Sequence, residues 1–371
     1  MLLAAGVGSR LDPLTSQLPK PLVPIANVPV MEHMLTLLKE HGVDEVYANL
    51  HYLPAQIKGY FGDGSKLGLK LFFRYEEKLS GDAGGVRALR EFLEDETFLV
   101  VMGDLLTDAD LAHVVRAHKE KGALASIAIK KVEDVSHFGV VVMNGEGFIT
   151  GFQEKPRKEE ALSDLASTGI YVLEPEVFNH IPQEGEYGFG RQLFPKLVSQ
   201  GLPVLGIEIT SYWSDVGTIP QYRQSNFDSL EGRVKINLPG EEVVNEARGV
   251  PASEGNGQAA RNGKSSLGAS RLWLCKYAEV HSAVTIDGAL MVGSNSVVGK
   301  NVKIRGNVII GDACVIEDGV ELSDCVIWSG SHVEKGARIN QSVIGMNCRI
   351  ARHSKHEGVA LVEPTAVSQS A

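Results

Sequence analysis

The feature that most restricts how this chain can fold is a six-residue repeat near its carboxyl end. Apolar residues recur at every sixth position: Ile286, Val292, Val298, Ile304, Ile310, Ile316, Leu322 and Trp328. A second series keeps the same period: Leu290, Ser296, Val302, Val308, Cys314, Val320 and Val326. A fixed period is typical of a solenoid, in which each repeat packs on its neighbours. A period of six predicts a left-handed parallel β-helix, because an ordinary antiparallel β domain would not keep it.

Residues 1–235 follow a different pattern, in which apolar strands alternate with amphipathic helices. We expect strands at 46–50, 70–73, 98–102 and 126–129, and helices at 30–40, 86–92 and 109–121. Asp108 is the expected N-cap of the last helix. Continuous apolar strands between helices predict a doubly wound α/β domain with a mostly parallel sheet covered on both faces. Such sheets bind ligands beyond the carboxyl ends of their strands.

These patterns predict four parts of the chain. The α/β domain would occupy residues 1–235, and a connecting segment would follow at 236–279. Within it, residues 249–271 are rich in Gly, Ser and Asn and predict a flexible stretch. The β-helix would occupy 280–352, and 353–371 would form a tail.

Composition narrows the class of protein. The net charge of −10 argues against a broad nucleic-acid surface, and no apolar run is long enough to span a bilayer. The amino terminus lacks a secretory pattern. The four cysteines (Cys275, Cys314, Cys325 and Cys348) show no CxxC spacing, which favours free thiols in a reducing compartment. We therefore expect a cytoplasmic protein with no nucleic-acid or membrane partner.

A glycine-rich turn follows a short apolar strand at the start of the chain. Residues 3–15 read LAAGVGSRLDPLT, and residues 19–25 read PKPLVPI. Glycines let backbone N–H groups converge on phosphate oxygens. Arg10 adds a rigid planar donor, and Lys20 adds a mobile point charge. The turn lacks the third glycine of a dinucleotide-binding motif and the Gly-Lys-Ser/Thr of a P-loop.

Two aspartates occupy positions suited to a metal. Asp104 directly follows the apolar strand at 98–102, and Asp215 lies in the segment YWSDVGT at 212–218. Mg²⁺ is commonly held by one or two carboxylates together with phosphate oxygens and water. The pair therefore predicts Mg²⁺ as a cofactor, although an isolated aspartate after a strand is more often a cap or a turn residue.

The run at 3–25 resembles the signature of the sugar-nucleotide pyrophosphorylase family. The resemblance extends through residue 235, and hexapeptide tails recur in several branches of that family. It implies that the loop residues Leu3, Ala4, Ala5, Gly6 and Gly8 bind the nucleotide. It also implies catalytic roles for Arg10 at the α-phosphate and the departing pyrophosphate, and for Lys20 at the reacting phosphates. Asp104 and Asp215 match the family's metal-binding aspartates.

Further segments are similar to the family's substrate loops. Residues 79–85 read LSGDAGG and resemble the loop that packs on the nucleobase, which implies contacts from Gly81, Ala83 and Gly84. Asp82 replaces the usual Thr or Ser. Glu76 and Glu77, just before this loop, are expected either to face the base edge or to form an exposed charged turn.

Three later segments match the family's sugar-phosphate segments in order. They imply sugar-phosphate contacts from the following residues: Gly139, Glu154, Lys155, Ser167 and Thr168. Ser167 stands where many members have Asn. Gln192 stands where an acidic residue is often found, and Arg191 beside it is more simply a solvated surface residue. His332 lies in the repeat and is best explained as a surface residue at a corner.

The resemblance implies transfer of a nucleotidyl group from a nucleoside triphosphate to a sugar 1-phosphate by in-line attack at the α-phosphorus. The layout is most like the mannose-1-phosphate guanylyltransferase branch, with GTP and mannose 1-phosphate as substrates. Glucose-1-phosphate nucleotidylyltransferases using UTP, dTTP or ATP are an alternative. So is a non-catalytic subunit that binds a sugar nucleotide.

Two further expectations concern the ends of the chain. Family members usually carry more residues before Leu3, and restoring them should raise stability or activity. The β-helix should mediate formation of a homo-oligomer rather than chemistry, because its flat faces and open ends offer surfaces to another subunit.

Overall fold

The computed structural model describes residues 1–243 and 270–363 of the 371-residue chain. The flexible stretch predicted at 249–271 therefore lies almost entirely outside the described residues, as does the end of the predicted tail. The chain divides into two compact units. One comprises Met1–Val23, Val28–Ser225 and Val234–Ile236, and the other comprises Pro24–Asn27, Asn226–Arg233 and the chain from Asn237 onward.

Seven α-helices lie within the described residues 1–243. The α-helices are α1 (Val30–Glu40), α2 (Pro54–Phe61), α3 (Asp82–Arg87), α4 (Arg90–Leu93), α5 (Leu111–Lys121), α6 (Phe194–Ser199) and α7 (Ile219–Leu230). Short 3₁₀ helices span Ser9–Leu11, Leu14–Ser16, Lys20–Leu22, Ser65–Leu67, Lys158–Glu160 and Pro175–His180, and a π-helix spans Phe189–Leu193. None of the helices in the described ranges combines the length and the apolar character needed to cross a bilayer.

Helix α1 begins and ends where the sequence predicts, but two other helix predictions were wrong in detail. The helix expected at 86–92 is divided into α3 and α4. Helix α5 has Asp110 as its N-cap rather than Asp108, and the Asp110 side chain accepts a hydrogen bond from the N–H of His113. Asp108 instead accepts from the backbone N–H groups of Tyr212 and Lys235. The Asp108 carboxylate therefore binds two segments that are far from it in sequence, and local sequence patterns do not predict such contacts.

The amino-terminal half of the described chain has thirteen strands, nine in the sheet predicted for an α/β domain and four in two separate two-stranded sheets. They are β1 (Leu2–Leu3), β2 (Pro24–Ile25), β3 (Val28–Pro29), β4 (Glu45–Leu50), β5 (Lys70–Tyr75), β6 (Phe98–Met102), β7 (Leu106–Thr107), β8 (Ala125–Lys131), β9 (Gly139–Met143), β10 (Ile149–Glu154), β11 (Leu165–Leu173), β12 (Val204–Glu208) and β13 (Trp213–Ser214). The main sheet has the order β10-β9-β11-β6-β1-β4-β5, with β8 beside β11 and β12 beside β8.

Strand β1 lies at the centre of this sheet, parallel to both β4 and β6. The Met1 amine continues the pairing by donating to the carbonyl of Leu99 at 2.7 Å. Strand β11 runs antiparallel to β6, which the sequence pattern did not predict. Two apolar cores lie on the two faces of the sheet, one containing Met31 and Leu35 from α1 and the other containing Phe189 and Phe194. The predicted doubly wound arrangement is confirmed.

The strands of the second half are β14 (Glu241–Glu242), β15 (Arg271–Leu274), β16 (Glu279–Val280), β17 (Thr285–Val292), β18 (Val297–Val298), β19 (Lys303–Ile310), β20 (Val315–Ile316), β21 (Glu321–Ile327), β22 (His332–Val333), β23 (Arg338–Asn340), β24 (Val343–Ile344), β25 (Arg349–Ile350), β26 (Lys355–Glu357) and β27 (Ala360–Leu361). From β15 onward neighbouring strands pair in parallel and form a β-helix of about five turns. The predicted β-helix is confirmed, and its strands begin before residue 280 and continue past residue 352.

The six-residue period changes phase within the β-helix. Thr285 pairs with Lys303, a separation of 18 residues, whereas Glu321 pairs with Arg338, a separation of 17. The register shifts near Asp324, which takes a φ of +44°. Cys325 and Ile327 consequently point into the core where the repeat predicts Val326 and Trp328. One missing residue in a coil moves every later side chain by one position, because neighbouring strand residues face opposite sides.

Candidate active site

The predicted phosphate loop begins at the carboxyl end of β1. Leu3, Ala4 and Ala5 are buried, whereas Gly6 is exposed and has open space where a side chain would stand. Gly8 takes a φ of +74°, and a Cβ atom there would lie 2.9 Å from the Cβ of Lys20. The turn therefore requires glycine at position 8, because a side chain would strain the backbone and strike Lys20.

Lys20 lies at the centre of a small group of charges. Its Nζ lies 2.5 Å from Oδ2 of Asp104 and donates to the backbone carbonyl of Asp215 at 3.1 Å. Lys20 is only 6% exposed. A buried ammonium group needs such partners, because removing a charge from water is costly. The structure thus brings together three predicted site residues from distant parts of the chain.

Arg10 joins this group from the solvent side. Its Nη2 lies 3.6 Å from Oδ2 of Asp215, and its side chain is 53% exposed. Gly217 permits this approach, since a Cβ there would lie 2.6 Å from Oδ2 of Asp215 and 3.0 Å from Nη1 of Arg10. The sequence assigned no role to Gly217. The exposed guanidinium has the geometry to donate paired hydrogen bonds to a phosphate group.

The two aspartates suit a hard cation such as Mg²⁺, which prefers oxygen ligands. Within the described residues, Oδ1 of Asp215 is a buried oxygen without a hydrogen-bond partner. Leaving such an atom unpaired costs free energy, and a bound cation would offset that cost. Over the same ranges, no group of three or more His, Cys, Asp or Glu side chains could hold a metal. Mg²⁺ at Asp104 and Asp215 therefore stays a prediction, with phosphate oxygens and water as its other ligands.

The predicted base loop, residues 79–85, is attached to the backbone at Tyr187. Tyr187 donates its N–H to the carbonyl of Ser80 at 2.8 Å, and Gly84 donates to the carbonyl of Tyr187 at 2.9 Å. Gly81 takes a φ of +79°, and a Cβ there would overlap the Tyr187 carbonyl. Ala83 and Gly84 are buried. These residues give the loop a defined shape, and their contact with a nucleobase stays a prediction.

A chain of side-chain hydrogen bonds connects the phosphate loop with the base loop. Asn49, near the end of β4, accepts from the N–H of Ala4 at 2.9 Å and donates to Glu76 at 2.6 Å. The other carboxylate oxygen of Glu76 accepts from the hydroxyl of Ser80 at 2.6 Å. Glu76 is 7% exposed, so it is not part of an exposed charged turn. The sequence does not predict this role of Asn49, whose only signal is a polar residue within an apolar strand.

The sugar-phosphate segments surround the end of β10. Gly139 pairs with Glu154, and a Cβ at Gly139 would lie 2.5 Å from Cζ of Phe152 and 3.4 Å from Oε2 of Glu154. Lys155 takes a φ of +47°, and its Nζ lies 3.7 Å from Oε1 of Glu154. The Lys155 side chain is 54% exposed. The glycine therefore allows close packing, while the carboxylate and the exposed ammonium remain next to each other.

Ser167 and Thr168 lie on β11 and are both buried. The Ser167 hydroxyl lies 3.4 Å from the hydroxyl of Tyr171. The Thr168 hydroxyl donates to the carbonyl of Ala128 at 2.7 Å, and the Thr168 carbonyl accepts from the indole N–H of Trp213 at 2.8 Å. The hydroxyl hydrogen and the carbonyl oxygen of Thr168 are therefore used within the protein.

Trp213 connects the sugar-phosphate segments with the charged group. Its ring packs edge to face on Phe138 at 5.0 Å between centroids, and Asp215 lies two residues further along the chain. The sequence pattern does not predict these contacts of Trp213. The contact with Thr168 and the one with Phe138 hold two predicted substrate segments next to the Asp215 turn.

Two carboxylates near the sugar-phosphate segments have perturbed acidity. Desolvation raises the pKa of Asp82 and also that of Glu154. The charge of Asp82 raises the pKa of Glu154 further, while Lys155 and Arg191 lower it. Such shifts cluster at functional sites, although structural networks produce them too.

A cavity of about 670 Å³ lies near the amino end of β1. It is lined by residues of β4, β6 and α5 together with Met1, and none of the predicted site residues lines it. The predicted site instead lies at the carboxyl end of β1, where ligands of such sheets bind.

A central parallel sheet with a glycine turn, two cations and two carboxylates at one edge defines a nucleotide-handling α/β enzyme domain. A sequence model described as nucleotidyl transferase matches residues 1–232, more than half of the chain, and the chain belongs to this family. A second model, described as the GMPPB C-terminal domain, matches residues 280–369. The family resemblance drawn from residues 3–25 is therefore confirmed.

Two curated relatives cover much of the chain. A UTP–glucose-1-phosphate uridylyltransferase of Synechocystis sp. is 44% identical over 257 residues, 66% of this chain and 66% of that protein. A mannose-1-phosphate guanylyltransferase of Mycobacterium tuberculosis is 34% identical over 233 residues, 62% of this chain and 64% of that protein. The chain thus spans slightly less than two thirds of the length of these relatives.

Among solved structures, a UDP-glucose pyrophosphorylase complexed with UDP-glucose matches with a TM-score of 0.55. The match covers 62% of this chain and 97% of that chain, with 20% sequence identity. At this identity the similarity concerns the fold of the α/β domain.

Proposed function

We propose that this chain transfers a nucleotidyl group from a nucleoside triphosphate to a sugar 1-phosphate and releases pyrophosphate. The observation that carries the proposal is the position of Lys20 against Asp104 and Asp215, with Arg10 beside them, at the carboxyl edge of the sheet. Membership of the nucleotidyl transferase family supports the same chemistry.

The protein's part in this reaction would be positioning and neutralisation of charge. The phosphate loop would hold the triphosphate, and Lys155 would hold the sugar phosphate. A sugar-phosphate oxygen would then attack the α-phosphorus in line, forming a new P–O bond as the bond to pyrophosphate breaks. Lys20 would neutralise the reacting phosphates, and Arg10 would stabilise the charge that develops on the α-phosphate and the departing pyrophosphate.

Mg²⁺ bound by Asp104 and Asp215 would supply further positive charge to the phosphates. Lys20 contacts the carboxylate of Asp104 and the backbone carbonyl of Asp215, and Arg10 faces the carboxylate of Asp215. The ammonium and the carboxylates would therefore be rearranged when a charged substrate arrives, and Lys20 is placed to move from Asp104 to a phosphate oxygen.

Two substrate pairs have specific support. The match of residues 280–369 to the GMPPB C-terminal domain and the 34% identical guanylyltransferase support GTP with mannose 1-phosphate. The 44% identical uridylyltransferase supports UTP with glucose 1-phosphate. Glu154 would accept hydrogen bonds from sugar hydroxyls in either case, so it does not distinguish the two sugars.

The experiment is a matrix of nucleoside triphosphates against sugar 1-phosphates, with pyrophosphate release as the readout. We expect one pair to exceed all others in kcat/KM, and GTP with mannose 1-phosphate and UTP with glucose 1-phosphate are the leading candidates. Binding of a sugar nucleotide by calorimetry without turnover of any pair would contradict the proposal and favour a non-catalytic subunit.

A further inference from the structure

The base loop and the carboxylate of Glu154 are joined through one turn of the chain. This turn is the π-helix Phe189–Leu193, and Asp82 of the base loop accepts the N–H of Phe189 at 2.7 Å. The same oxygen of Asp82 also accepts the N–H of Ala83 at 2.8 Å. One carboxylate therefore fixes both the start of α3 and the start of the turn.

The same turn also packs against Glu154. A Cβ at Gly190 would overlap the Glu154 carboxylate, so the two groups are in direct contact. A second bond stabilises the turn, because Gly188 donates its N–H to the side chain of Gln192 at 2.7 Å. Gln192 thus has a structural use in this chain, where the family often has an acidic residue.

We infer that Asp82 is a positioning residue that holds Gly190 against Glu154. The base loop would in this way set the orientation of the Glu154 carboxylate, which would bind the sugar hydroxyls. This inference rests on the proposed function. Glu154 would touch the sugar, whereas Asp82 acts through the turn at Phe189. A residue of this kind would couple nucleotide binding with recognition of the second substrate.

Charge gives Asp82 a second effect on Glu154. The groups facing Glu154 are Asp82, Lys155, Arg191 and the Tyr171 hydroxyl. Asp82 opposes ionisation of Glu154, while the two cations favour it. Replacing Asp82 by Asn removes the negative charge but retains an oxygen that can accept the N–H of Phe189.

The test compares Asp82→Ala, Asp82→Asn and the exposed control Asp95→Ala in the full chain, using the most active substrate pair. We expect Asp82→Ala to raise KM for the sugar 1-phosphate on the order of tenfold, the effect of a lost buried hydrogen-bond partner. The rise in KM for the nucleotide should be smaller. Asp82→Asn should restore KM to within about threefold of wild type, since an amide oxygen can accept the same bonds.

Two further measurements test whether Asp82 acts on the sugar phosphate through Glu154. In the Glu154→Gln background, Asp82→Ala should add much less to KM than it does alone, because residues acting through one contact are not additive. In Asp82→Asn, the acid limb of the pH profile of kcat/KM for the sugar phosphate should move to lower pH. This second measurement keeps the test valid if Asp82→Ala fails to fold.

Full additivity with Glu154→Gln, or a change in nucleotide KM alone, would overturn the positioning role, as would an unmoved acid limb in Asp82→Asn. Failure of the proposed function itself is distinguishable, because wild type and Asp95→Ala would then both release no pyrophosphate with any pair.

Discussion

Opposite charges share one site, which holds Lys20, Arg10, Asp104 and Asp215. The Lys20 ammonium is almost fully buried, whereas the Arg10 side chain is half exposed. The buried cation is held by its carboxylate and carbonyl partners, while the exposed one can turn toward an incoming phosphate. Arg10 is therefore the cation whose substitution tests contact with the phosphates most directly.

Arg10→Ala should lower kcat far more than it raises KM. An interaction formed mainly in the transition state behaves in this way. Loss of one electrostatic contact of this kind typically costs on the order of 10²–10³-fold. Steady-state pyrophosphate release measures the effect, and Arg157→Ala, at an exposed arginine, serves as the control. A change confined to KM would make Arg10 a binding residue only.

Asp104→Asn and Asp215→Asn should each increase the Mg²⁺ concentration needed for half-maximal rate, because each loses a charged ligand. Wild type should also show an Mg²⁺-dependent rise in melting temperature in the presence of nucleotide, and both variants should lose it. Asp95→Asn, at an exposed position, should behave as wild type. Near-normal rates in both variants at low Mg²⁺ would contradict the assignment.

Stability should depend on pH through Asp82 and Glu154. Desolvation raises the pKa of Asp82 above its ordinary value of 3.8 and that of Glu154 above 4.5. The folded protein therefore keeps protons that the unfolded chain would release. The corresponding stability is complete below the ordinary pKa values and is lost as pH rises through the raised ones.

Glu154→Gln should accordingly flatten the fall in melting temperature between about pH 4 and neutrality, since Gln does not titrate in that window. Thermal melts over a pH series would measure the slope. The exposed Glu159→Gln should leave it unchanged. Equal slopes for wild type and Glu154→Gln would show that this carboxyl titrates at its ordinary pKa in the folded protein.

At the scale of elements, the strands of the β-helix place neighbouring residues in opposite environments. Ile316 of β20 is 1% exposed in the apolar core, whereas Val315 beside it is 42% exposed on the outer face. The two side chains are similar, so the free energy lost on truncating each one to alanine depends mainly on how far it is buried.

Ile316→Ala should destabilise the β-helix by about 2–5 kcal/mol, from lost apolar burial and the cavity left behind. Val315→Ala should change stability by less than about 0.5 kcal/mol, as is usual for surface positions. Urea denaturation followed by circular dichroism would compare the two variants. Equal effects of the two substitutions would contradict the inward and outward assignment of β20.

At the scale of the whole molecule, deleting all residues after about 248 should reduce the oligomer while leaving the named phosphate and metal residues in place. Stability should also fall. The side chain of Asn27 donates to the carbonyl of Ile310 at 2.8 Å, and Arg271 donates to the carbonyl of Leu230 at 2.7 Å. Removing Ile310 and Arg271 leaves residues 27 and 230 without these bonds.

Light scattering and the pyrophosphate-release assay test the two halves of this prediction. Some activity should survive in the shortened protein. An unchanged oligomer after truncation would rule out association through the β-helix. A folded, unchanged oligomer without activity would indicate instead that the deleted residues take part in the chemistry.

The two kinds of architecture and the charged residues at the sheet edge could be predicted from the sequence. The six-residue period predicts the β-helix because every coil must bury a side chain at the same position. The glycine turn with Arg10 and Lys20 predicts a phosphate-binding loop, and the two aspartates predict a metal site. Both predictions concern the same edge of the sheet, because the carboxyl ends of parallel strands meet there.

The partners that individual side chains take could not be predicted in this way, because they depend on the three-dimensional fold. Glu76 accepts hydrogen bonds from Asn49 and Ser80, and Asp82 accepts the N–H of Phe189, which is 107 residues away in sequence. The β-helix changes phase near Asp324, where a coil is one residue shorter. Local sequence sets periodicity and turn chemistry. The hydrogen-bond partner of a buried polar group depends on which distant backbone the fold places beside it.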